Sequence, residues 1–406
     1  MDGGVSLTIG ASEMDQGSFS GLAQVLAEEL MVDYAKVTLL QGGPTLANPA
    51  PIGTAISTVG SGVTRNNFWK LHDASAIARK TLVNAAIARV GDPARGNYTV
   101  TAGVIRHKPS GTLLTYGDVA AAAALLTPPA SAPLVPDSQS LIIGKPLQRP
   151  DIPFKVDGSA RYGVDVRVPG MVYAVIKHCP AFGGKLAATP ATPAGMIAVV
   201  ATEVKAGTAR GLEAVGNVNA VAVVGPNIWD TWQAAKRLTV RWTLPSNAAT
   251  LNSAQFLADA QTLMSAAVPF VAGAANPAGT LYTVERSTGD ANAAIAAAAT
   301  VVDATYSLPY ASHACMEVLN CTVDYVAAVR CEVWAPTQTA KSALSLIATL
   351  TGLPSDKITV HTTYLGGGLG RKAEQDFISQ AVQVGMALQR PVQLMWPREE
   401  DFTHDQ

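Results

Sequence analysis

Cysteine is scarce in this sequence, and its spacing excludes the common protein-ligated metal centres. The 406-residue chain contains four cysteines, Cys179, Cys315, Cys321 and Cys331, and no Cys-x-x-Cys pair. Zinc ribbons and iron–sulfur clusters need closely spaced cysteine ligands, so neither is expected within this chain. Four cysteines in a chain of this length are also too few for a disulfide framework. We expect buried free thiols.

Charge of either sign is also scarce. Charged residues make up 15% of the sequence, and 29 Lys and Arg residues balance 30 Asp and Glu residues. A nucleic-acid-binding protein needs a basic surface to meet phosphates, so no nucleic acid is expected as a partner. No apolar run reaches the roughly 18 residues of a membrane span. The start of the chain shows neither the basic nor the apolar region of an export signal.

The spacing of apolar residues predicts helices and strands in mixture, which is typical of an α+β fold. We predict helices over 18–30, 66–90, 112–125, 229–237, 341–352 and 373–389. We predict a hairpin over 98–107 and strands over 4–10, 36–40, 160–178, 196–204, 218–224, 301–310, 329–336, 357–365 and 392–396. A proline-rich stretch over 128–154 predicts a linker, and the Gly- and Ser-rich residues 42–62 predict a long functional loop.

A glycine-rich turn, Gly366-Gly367-Gly368-Leu369-Gly370-Arg371, lies between a predicted strand and a predicted helix. Glycines let backbone N–H groups approach a ligand closely, and a helix N-terminus favours anions. Arg371 and Lys372 add positive charge at the same point. A phosphate, pyrophosphate or oxyanion would suit this turn. Because the spacing matches neither the dinucleotide fingerprint nor the P-loop, a plain tight turn is the alternative.

A second turn, Ser12-Glu13-Met14-Asp15-Gln16-Gly17, also joins a predicted strand to a predicted helix. Gln16 offers both a donor and an acceptor, which suit an oxo group, an amide or a phosphate oxygen. The alternative is an ordinary helix start with Asp15 as the N-cap.

Two further segments place polar side chains at the ends of elements. In residues 334–339, Gln338 puts a neutral amide where a strand runs into a helix N-terminus. In residues 309–317, His313 and Glu317 are four residues apart and could share a helix face. We favour a structural hydrogen-bonded pair over a metal site, because the His-Glu-x-x-His pattern is absent.

Taken in order, these segments resemble the molybdenum-binding large subunit of the xanthine dehydrogenase/aldehyde oxidase family, in its isoquinoline 1-oxidoreductase β-subunit type. SEMDQG resembles the family's S/T-E-M-G-Q-G segment, and YLGGGLGRKAEQDF resembles its G-G-G-F-G-R loop. LPYASHACMEVLNCT is similar to a block ending in M-E-P-x-N-C, and WPREEDFTHDQ to W-x-R-E-E-D-x-x-H-D. The resemblance covers nearly the whole chain, and the ordered set is far more specific than any single motif.

The resemblance implies a molybdopterin-binding domain of mixed sheets and helices. It also implies an inserted aldehyde oxidase/xanthine dehydrogenase α/β hammerhead domain. Residues 143–176 resemble the start of that domain. The first part of the molybdopterin-binding domain is then expected over 1–127, the linker over 128–154, the hammerhead domain over 155–243 and the second part over 244–406.

The cofactor that the resemblance implies is molybdopterin cytosine dinucleotide with molybdenum. The enzyme would oxidise an aldehyde or hydroxylate an N-heterocycle with water as the oxygen source. The glycine-loop backbone would lie over the metal, and the second turn would contact the pterin or its phosphate. The residues implied at the cofactor are Gln338, beside the molybdenum oxo group, and Gln16, Gly17, Gly367, Gly368, Leu369, Gly370 and Arg371. Such an anionic ligand needs backbone N–H donors and no protein metal ligand.

Three departures from the family pattern carry consequences. Leu369 stands where the family usually has Phe, which would reshape the substrate wall. Asp15 stands where Gly is usual and puts a carboxylate close to an anionic cofactor. The family's catalytic Glu, a general base in a later G-E-P/G segment, has no candidate in residues 1–406. We therefore expect the chain to be inactive without a C-terminal portion that supplies this Glu.

The resemblance also implies partners, because electrons must leave through iron–sulfur clusters that this chain cannot ligate. They are a small [2Fe–2S] subunit, a c-type cytochrome subunit in exported members, and here a chain carrying the C-terminal half. Exported relatives favour the periplasm or the periplasmic face of the inner membrane, and the cytoplasm stays open. The alternative functions are a catalytically incomplete nucleotide-cofactor-binding module and a structural half-chain of a larger assembly.

Overall fold

A computed structural model describes residues 4–43, 56–209, 213–265, 286 and 288–405. Its helices are α1 (Ser18–Leu30), α2 (Gly62–Val90), α3 (Tyr116–Ala123), α4 (Ile152–Val156), α5 (Ile228–Arg237), α6 (Ser253–Ser265), α7 (Ala291–Ala297), α8 (Ala340–Thr351), α9 (Asp376–Leu388) and α10 (Arg398–Thr403). Its strands are β1 (Val5–Ile9), β2 (Val37–Gln41), β3 (Tyr98–Thr101), β4 (Val104–His107), β5 (Leu113–Thr115), β6 (Val172–His178), β7 (Lys185–Ala188), β8 (Ala198–Glu203), β9 (Val218–Gly225), β10 (Arg241–Thr243), β11 (Asn320–Val326), β12 (Arg330–Ala335), β13 (Ile358–Thr362) and β14 (Val392–Met395). The predicted α+β fold with mixed sheets is confirmed.

Seven of the described strands form the main sheet, in the order β13-β12-β11-β14-β6-β9-β8. The middle strand, β14, is antiparallel to β11 and parallel to β6. Side chains alternate between the two faces of this sheet. In β6, Ala174 and Ile176 pack into the same core as Phe377 of α9, whereas Val175 packs with Ala235 of α5. Helices on both faces therefore bury the sheet, which explains why its strands are short apolar runs.

A second hydrophobic core lies in the first third of the chain. The parallel pair β1–β2 packs with α1, and α1 packs along α2. The face of α1 that points into this core carries Phe19, Leu22, Leu26 and Leu30, all buried. This is the spacing that predicted the helix. The strands β3, β4 and β5 form a small antiparallel sheet whose residue Ile105 belongs to the same core.

Two carboxylates on α1 hold the proline-rich stretch against the helix. Glu28 Oε2 accepts the backbone N–H groups of residues 141–143, at 3.0, 2.7 and 2.9 Å along the segment. Glu29 accepts the N–H of Val135, at 3.2 Å to each carboxylate oxygen. The stretch predicted as a linker is therefore docked on the first part of the chain by charge-assisted hydrogen bonds.

The main sheet continues across the predicted domain boundary at residues 243 and 244. β6, β8 and β9 lie in the segment assigned to the hammerhead domain, and β11 to β14 lie in the following segment. Val172 of β6 pairs with Val392 of β14 in this sheet. The domain boundaries stay a prediction, but the two segments share one sheet and one core.

The prediction of a strand over 301–310 is wrong. Residues 298–319 carry no helix or strand, and the side chains of Tyr306 and Leu308 are 89% and 91% exposed. The alternating pattern is present, but no neighbouring strand among the described residues supplies the hydrogen bonds that a strand needs.

Four predicted element starts are also wrong. The helix predicted over 112–125 begins at Tyr116, because Leu113–Thr115 form the strand β5. The strand predicted over 160–178 begins only at Val172, after a turn at Pro169 and Gly170 that cannot continue a sheet ladder. The helix predicted from residue 373 begins at Asp376, because a 3₁₀ turn precedes it. The helix predicted from residue 66 begins at Gly62.

The expectation of buried free thiols is confirmed. All four cysteines are buried and free. Burial raises the pKa of Cys331 to about 12, so this thiol stays protonated at neutral pH. In the part of the chain that the structure describes, no helix is both long enough and apolar enough to cross a bilayer.

Candidate functional site

Three turns that are distant in sequence meet at one cleft of about 420 Å³. These are the 12–17 turn, the turn that follows β12 and the glycine-rich turn, and the residues that start α2 complete the walls. The lining residues are Met14, Gln16, Ser18, Thr58, Val59, Gly60, Ser61, Gly62, Val63, Thr64, Gln338, Leu369 and Gly370. The structure thus brings together Gln16, Gln338, Leu369 and Gly370 from three separately predicted segments.

Gln338 joins two walls of the cleft. Its Nε2 donates to the carbonyl of Thr58 at 2.7 Å, and its Oε1 accepts the N–H of Gly370 at 3.1 Å. Its backbone N–H donates to the carbonyl of Lys372. A side-chain amide has two N–H hydrogens, and Thr58 takes one of them. The other hydrogen is the donor that the predicted role beside an oxo group requires.

At Gly368 the glycine-rich turn passes too close to its neighbours to accommodate a side chain. A Cβ on Gly368 would lie 2.5 Å from Gln338 Oε1 and 2.8 Å from Met14 Sδ. Gly367 adopts a φ of +81°, in the left-handed region that favours glycine. Leu369 has a φ of +53° and is 68% exposed at the rim of the cleft. Its side chain therefore faces solvent at the position where the family usually has Phe.

The side chain of Gln16 bonds within the 12–17 turn, and Ser12 joins this turn to Thr58 and Thr337 at the cleft. Gln16 Oε1 accepts the N–H of Met14 at 2.8 Å, and its Nε2 donates to the carbonyl of Ser12 at 3.1 Å. The residue that precedes α1 as its N-cap is Gly17. The alternative that Asp15 is the N-cap is therefore wrong.

Asp15 carries a charge that a neighbouring cation balances. Its φ is +73°, a conformation that favours the glycine that the family usually has there. Its carboxylate pairs with Lys155 Nζ at 2.5 Å, and Arg149 donates to its carbonyl at 3.0 Å. The negative charge expected near the cofactor is thus paired with Lys155 of α4, directly after the docked proline-rich stretch.

Two helix starts open onto the cleft without side-chain caps. The N-cap residues, Gly17 of α1 and Ser61 of α2, make no side-chain cap hydrogen bond. Ser18 Oγ, also at the cleft, is buried and has no hydrogen-bond partner among the described residues. Helix starts leave N–H groups unpaired and carry partial positive charge, so they attract anions. The end of the functional loop predicted over 42–62 lies at this cleft, whereas residues 44–55 of that loop lie outside the described residues. Sequence reasoning missed only the first turn of α2.

The positive charges at the end of the glycine-rich turn face away from the cleft. The Arg371 guanidinium pairs with Asp376 at 2.7 and 3.0 Å, and Lys372 Nζ pairs with Glu317 at 2.7 Å. Arg371 and Lys372 are 1% and 0% exposed. Burial raises the pKa of Asp376, but the charge and hydrogen bonds of Arg371, together with the N–H of Phe377 and the charge of His178, hold it below its usual value. The expectation that these side chains offer charge to a ligand is therefore wrong; contact between Arg371 and a cofactor stays a prediction.

Two family models, each of a molybdopterin cofactor-binding domain, match residues 1–143 and residues 274–406. The matched residues contain all three turns that line the cleft. The chain belongs to the molybdopterin cofactor-binding family that these models describe.

Named relatives of this molybdenum-binding family cover the chain almost end to end. Isoquinoline 1-oxidoreductase subunit β of Brevundimonas diminuta is 28% identical over 99% of this chain and 54% of its own length. The membrane-bound aldehyde dehydrogenase [pyrroloquinoline-quinone] of Gluconacetobacter polyoxogenes is 26% identical over 100% of this chain and 50% of its own length. The chain spans about half the length of these curated relatives. Quinoline 2-oxidoreductase from Pseudomonas putida 86 aligns structurally with a TM-score of 0.42 and 20% identity, over 63% of this chain and 34% of that chain.

The predicted pair of His313 and Glu317 is not formed in this member of the family. Residues 313–317 are not helical, so the two side chains do not share a helix face. His313 Nδ1 bonds to Asp405 Oδ1 at 2.9 Å, and the Glu317 carboxylate accepts the N–H of Gly366. The prediction of a structural hydrogen-bonded pair and the alternative of a metal site are therefore both wrong for these two residues.

A His-rich cluster near the end of the chain has the spacing of a metal site but is already hydrogen-bonded. His178 Nδ1 bonds to Glu400 at 2.8 Å, and His178 Nε2 to Gln380 at 2.8 Å. His404 Nε2 bonds to the carbonyl of Cys179 at 3.0 Å. Because these nitrogens are occupied, we interpret the cluster as a buried network that joins β6 to α9 and α10.

An acidic cluster beside the 12–17 turn is likewise paired. Glu13, Asp15 and Asp151 lie together, but Arg149 and Lys155 bond to them. Burial raises the pKa of Asp151, and hydrogen bonds from Arg149 and Lys155 overcome this and lower it to about 2. Two cations thus occupy the places that a metal ion would take.

The free energy of unfolding should fall as the pH falls below 6.5. Burial, with a smaller effect of His178, lowers the pKa of His404 from 6.5 to about 4. Between these values the unfolded chain binds a proton at His404 and the folded chain does not, so acid favours unfolding. The loss should be about 2 kcal/mol between pH 6.5 and pH 5.

Urea unfolding at pH 6.5 and pH 5 measures this loss of stability, in the wild type and in His404→Gln. The Gln variant should lose less stability on acidification. An equal loss in both proteins would show that another group causes it.

Proposed function

We propose that this chain is the molybdenum-cofactor-binding part of an oxidoreductase. The reaction is the oxidation of an aldehyde or the hydroxylation of an N-heterocycle, with water as the oxygen source. The observation that carries this proposal is the single cleft in which Gln338, the glycine-rich turn and the 12–17 turn meet. The two matched cofactor-binding segments supply those same turns.

The groups around the cleft suit an anionic cofactor. Its described lining residues include no charged side chain. They offer the amides of Gln16 and Gln338, the unpartnered Ser18 Oγ and the uncapped starts of α1 and α2. Backbone N–H groups of this kind bind phosphates without side-chain cations. A molybdenum held by the pterin itself needs no His or Cys ligand from the protein.

Each residue then has a role in binding or orientation. When bound, the cofactor supplies the two-electron oxidation. Gln338, held by Thr58, would donate its second N–H to an oxo group of the bound cofactor. The backbone of residues 367–370 would lie over the metal, and Gln16 and Gly17 would hold the pterin or its phosphate. We propose the cytosine dinucleotide form of the cofactor.

The proposed enzyme needs further polypeptide. The relatives are about twice as long as this chain, and we propose that the general-base Glu comes from the portion that corresponds to their other half. We also propose a small [2Fe–2S] subunit as the electron acceptor, with a c-type cytochrome subunit beyond it. Electron transfer requires such partners because no cluster-binding cysteine motif occurs in this sequence.

The cofactor content of the native complex tests the proposal. We expect molybdenum, and cytidine monophosphate released by acid hydrolysis, in equal and near-stoichiometric amounts. Nucleotide without molybdenum would support a catalytically incomplete binding module instead. If the assembled complex contains neither molybdenum nor nucleotide, the chain is a structural half-chain of a larger assembly.

A further inference from the structure

One carboxylate oxygen binds both ends of the glycine-rich turn. Glu317 Oε2 accepts the backbone N–H of Gly366 at 3.0 Å and the ammonium group of Lys372 at 2.7 Å. The N–H of Glu317 donates back to the carbonyl of Gly366 at 2.9 Å. The six residues from 366 to 371 thus form a loop whose two ends are joined through a single side chain.

Glu317 is itself fixed by the surrounding structure. Its Oε1 accepts the Nδ2–H of Asn320 at 3.1 Å and the N–H of Val164 at 3.3 Å. A Cβ on Gly366 would lie 2.6 Å from Glu317 Cβ, so the two backbones are in direct contact. Glu317 is 9% exposed and Lys372 is fully buried. A buried ion pair with this many hydrogen bonds holds its members in one geometry.

The pair is linked to the cleft through Gln338. The carbonyl of Lys372 accepts the N–H of Gln338 at 2.9 Å. The side chain of Gln338 in turn accepts the N–H of Gly370 at 3.1 Å. A shift of Lys372 would therefore move both Gln338 and the loop backbone that lines the cleft.

We propose that Glu317 and Lys372 are positioning residues of the cofactor loop. Their pair sets the distance between the loop ends and so holds the loop N–H groups and the Gln338 amide in the binding geometry. This inference rests on the proposed function, since it assigns the loop to cofactor binding. Neither side chain lines the cleft, so neither contacts the ligand directly.

The test compares Glu317→Gln, Lys372→Met and the double variant in the purified complex. Each single variant leaves one buried charge or polar group unmatched, so its melting temperature should fall. The double variant removes both charges, and its amide oxygen can still accept the N–H of Gly366. The amide NH2 then faces the N–H of Val164 and the Nδ2 of Asn320, which lose their acceptor, so the melting temperature should recover only in part. A control double variant, Asp324→Asn with Arg330→Gln, removes an ion pair further along β11.

Hydrogen exchange resolved to single residues separates positioning from mere stability. In the double variant the amides of Gly370 and Arg371 should exchange about tenfold faster than in the wild type, because residue 372 no longer bonds through its side chain to residue 317. Molybdenum content should fall to less than half. The control variant should change neither quantity.

The proposal would be overturned if the double variant partly recovers its melting temperature and keeps the wild-type exchange rates and molybdenum content. The ion pair would then have only a structural role. If the wild-type complex contains no molybdenum, the proposed function fails, whereas the exchange at Gly370 and Arg371 still decides the positioning of the loop. If a single variant does not fold, the double variant carries the test.

Discussion

Gly368→Ala is expected to remove most of the molybdenum cofactor from the purified protein. The new Cβ would lie 2.5 Å from Gln338 Oε1 and 2.8 Å from Met14 Sδ. Gln338 cannot withdraw without breaking its bonds to Thr58 and Gly370, so the loop backbone must move instead. Overpacking costs about 1–3 kcal/mol, and 1.4 kcal/mol is about tenfold in an equilibrium constant.

Molybdenum and nucleotide content per protein measure this effect, and we expect about a tenth of the wild-type values. Gly21→Ala is the matched control, because a Cβ added at Gly21 would meet nothing within 4 Å and the residue lies inside α1. That substitution should keep the cofactor and stabilise the helix by up to about 1 kcal/mol. Full cofactor content in Gly368→Ala would show that the loop does not approach the ligand.

Glu28→Ala is expected to lower the free energy of unfolding by about 3 kcal/mol, because it leaves three N–H groups without their acceptor. Those groups belong to residues 141–143 and bond to Glu28 Oε2 at 2.7–3.0 Å. Urea unfolding measures the change. Glu28→Gln keeps one acceptor oxygen and should lower the free energy of unfolding by less. The control Glu399→Ala changes an exposed residue and should leave the free energy of unfolding almost unchanged.

The same substitution should also loosen the 12–17 turn. The docked segment continues to Arg149 and Lys155, which bond to Asp15. Proteolysis within residues 128–154 should therefore speed up in Glu28→Ala. Unchanged stability and unchanged proteolysis would contradict the view that Glu28 holds this segment in place.

The periodic elements and the three cleft turns could be predicted from the sequence. The apolar spacing of α1 matches its observed bounds, Ser18–Leu30, because one buried stripe determines such a helix. Gln16, Gln338 and the glycine-rich turn could be identified as candidates because each lies between a strand and a helix, where backbone groups are free. Their meeting in one cleft depends on the resemblance and on sheet topology, which local patterns do not contain.

Charge pairing could not be predicted in the same way. The partners of Arg371, Lys372 and His313 are Asp376, Glu317 and Asp405, and the last two pairs join residues far apart in sequence. A spacing of four residues indicated a pair between His313 and Glu317 only if both were helical, and they are not. The start of α2 was missed because its first residues, Gly62 and Thr64, resemble the loop before them.

The position of β14 in the main sheet constrains the order in which the protein can fold during synthesis. β14 is the last strand of that sheet in sequence, yet it lies between β11 and β6. Until residues 392–395 have left the ribosome, the sheet consists of two separate parts. One part contains β6, β8 and β9, the other contains β11 to β13, and the edges at β6 and β11 have no partner strand. Such edges invite aggregation, and pairing over so long a sequence distance is slow. The sheet therefore closes only after its central strand emerges, and a chaperone that covers the two open edges until then should raise the yield of soluble protein.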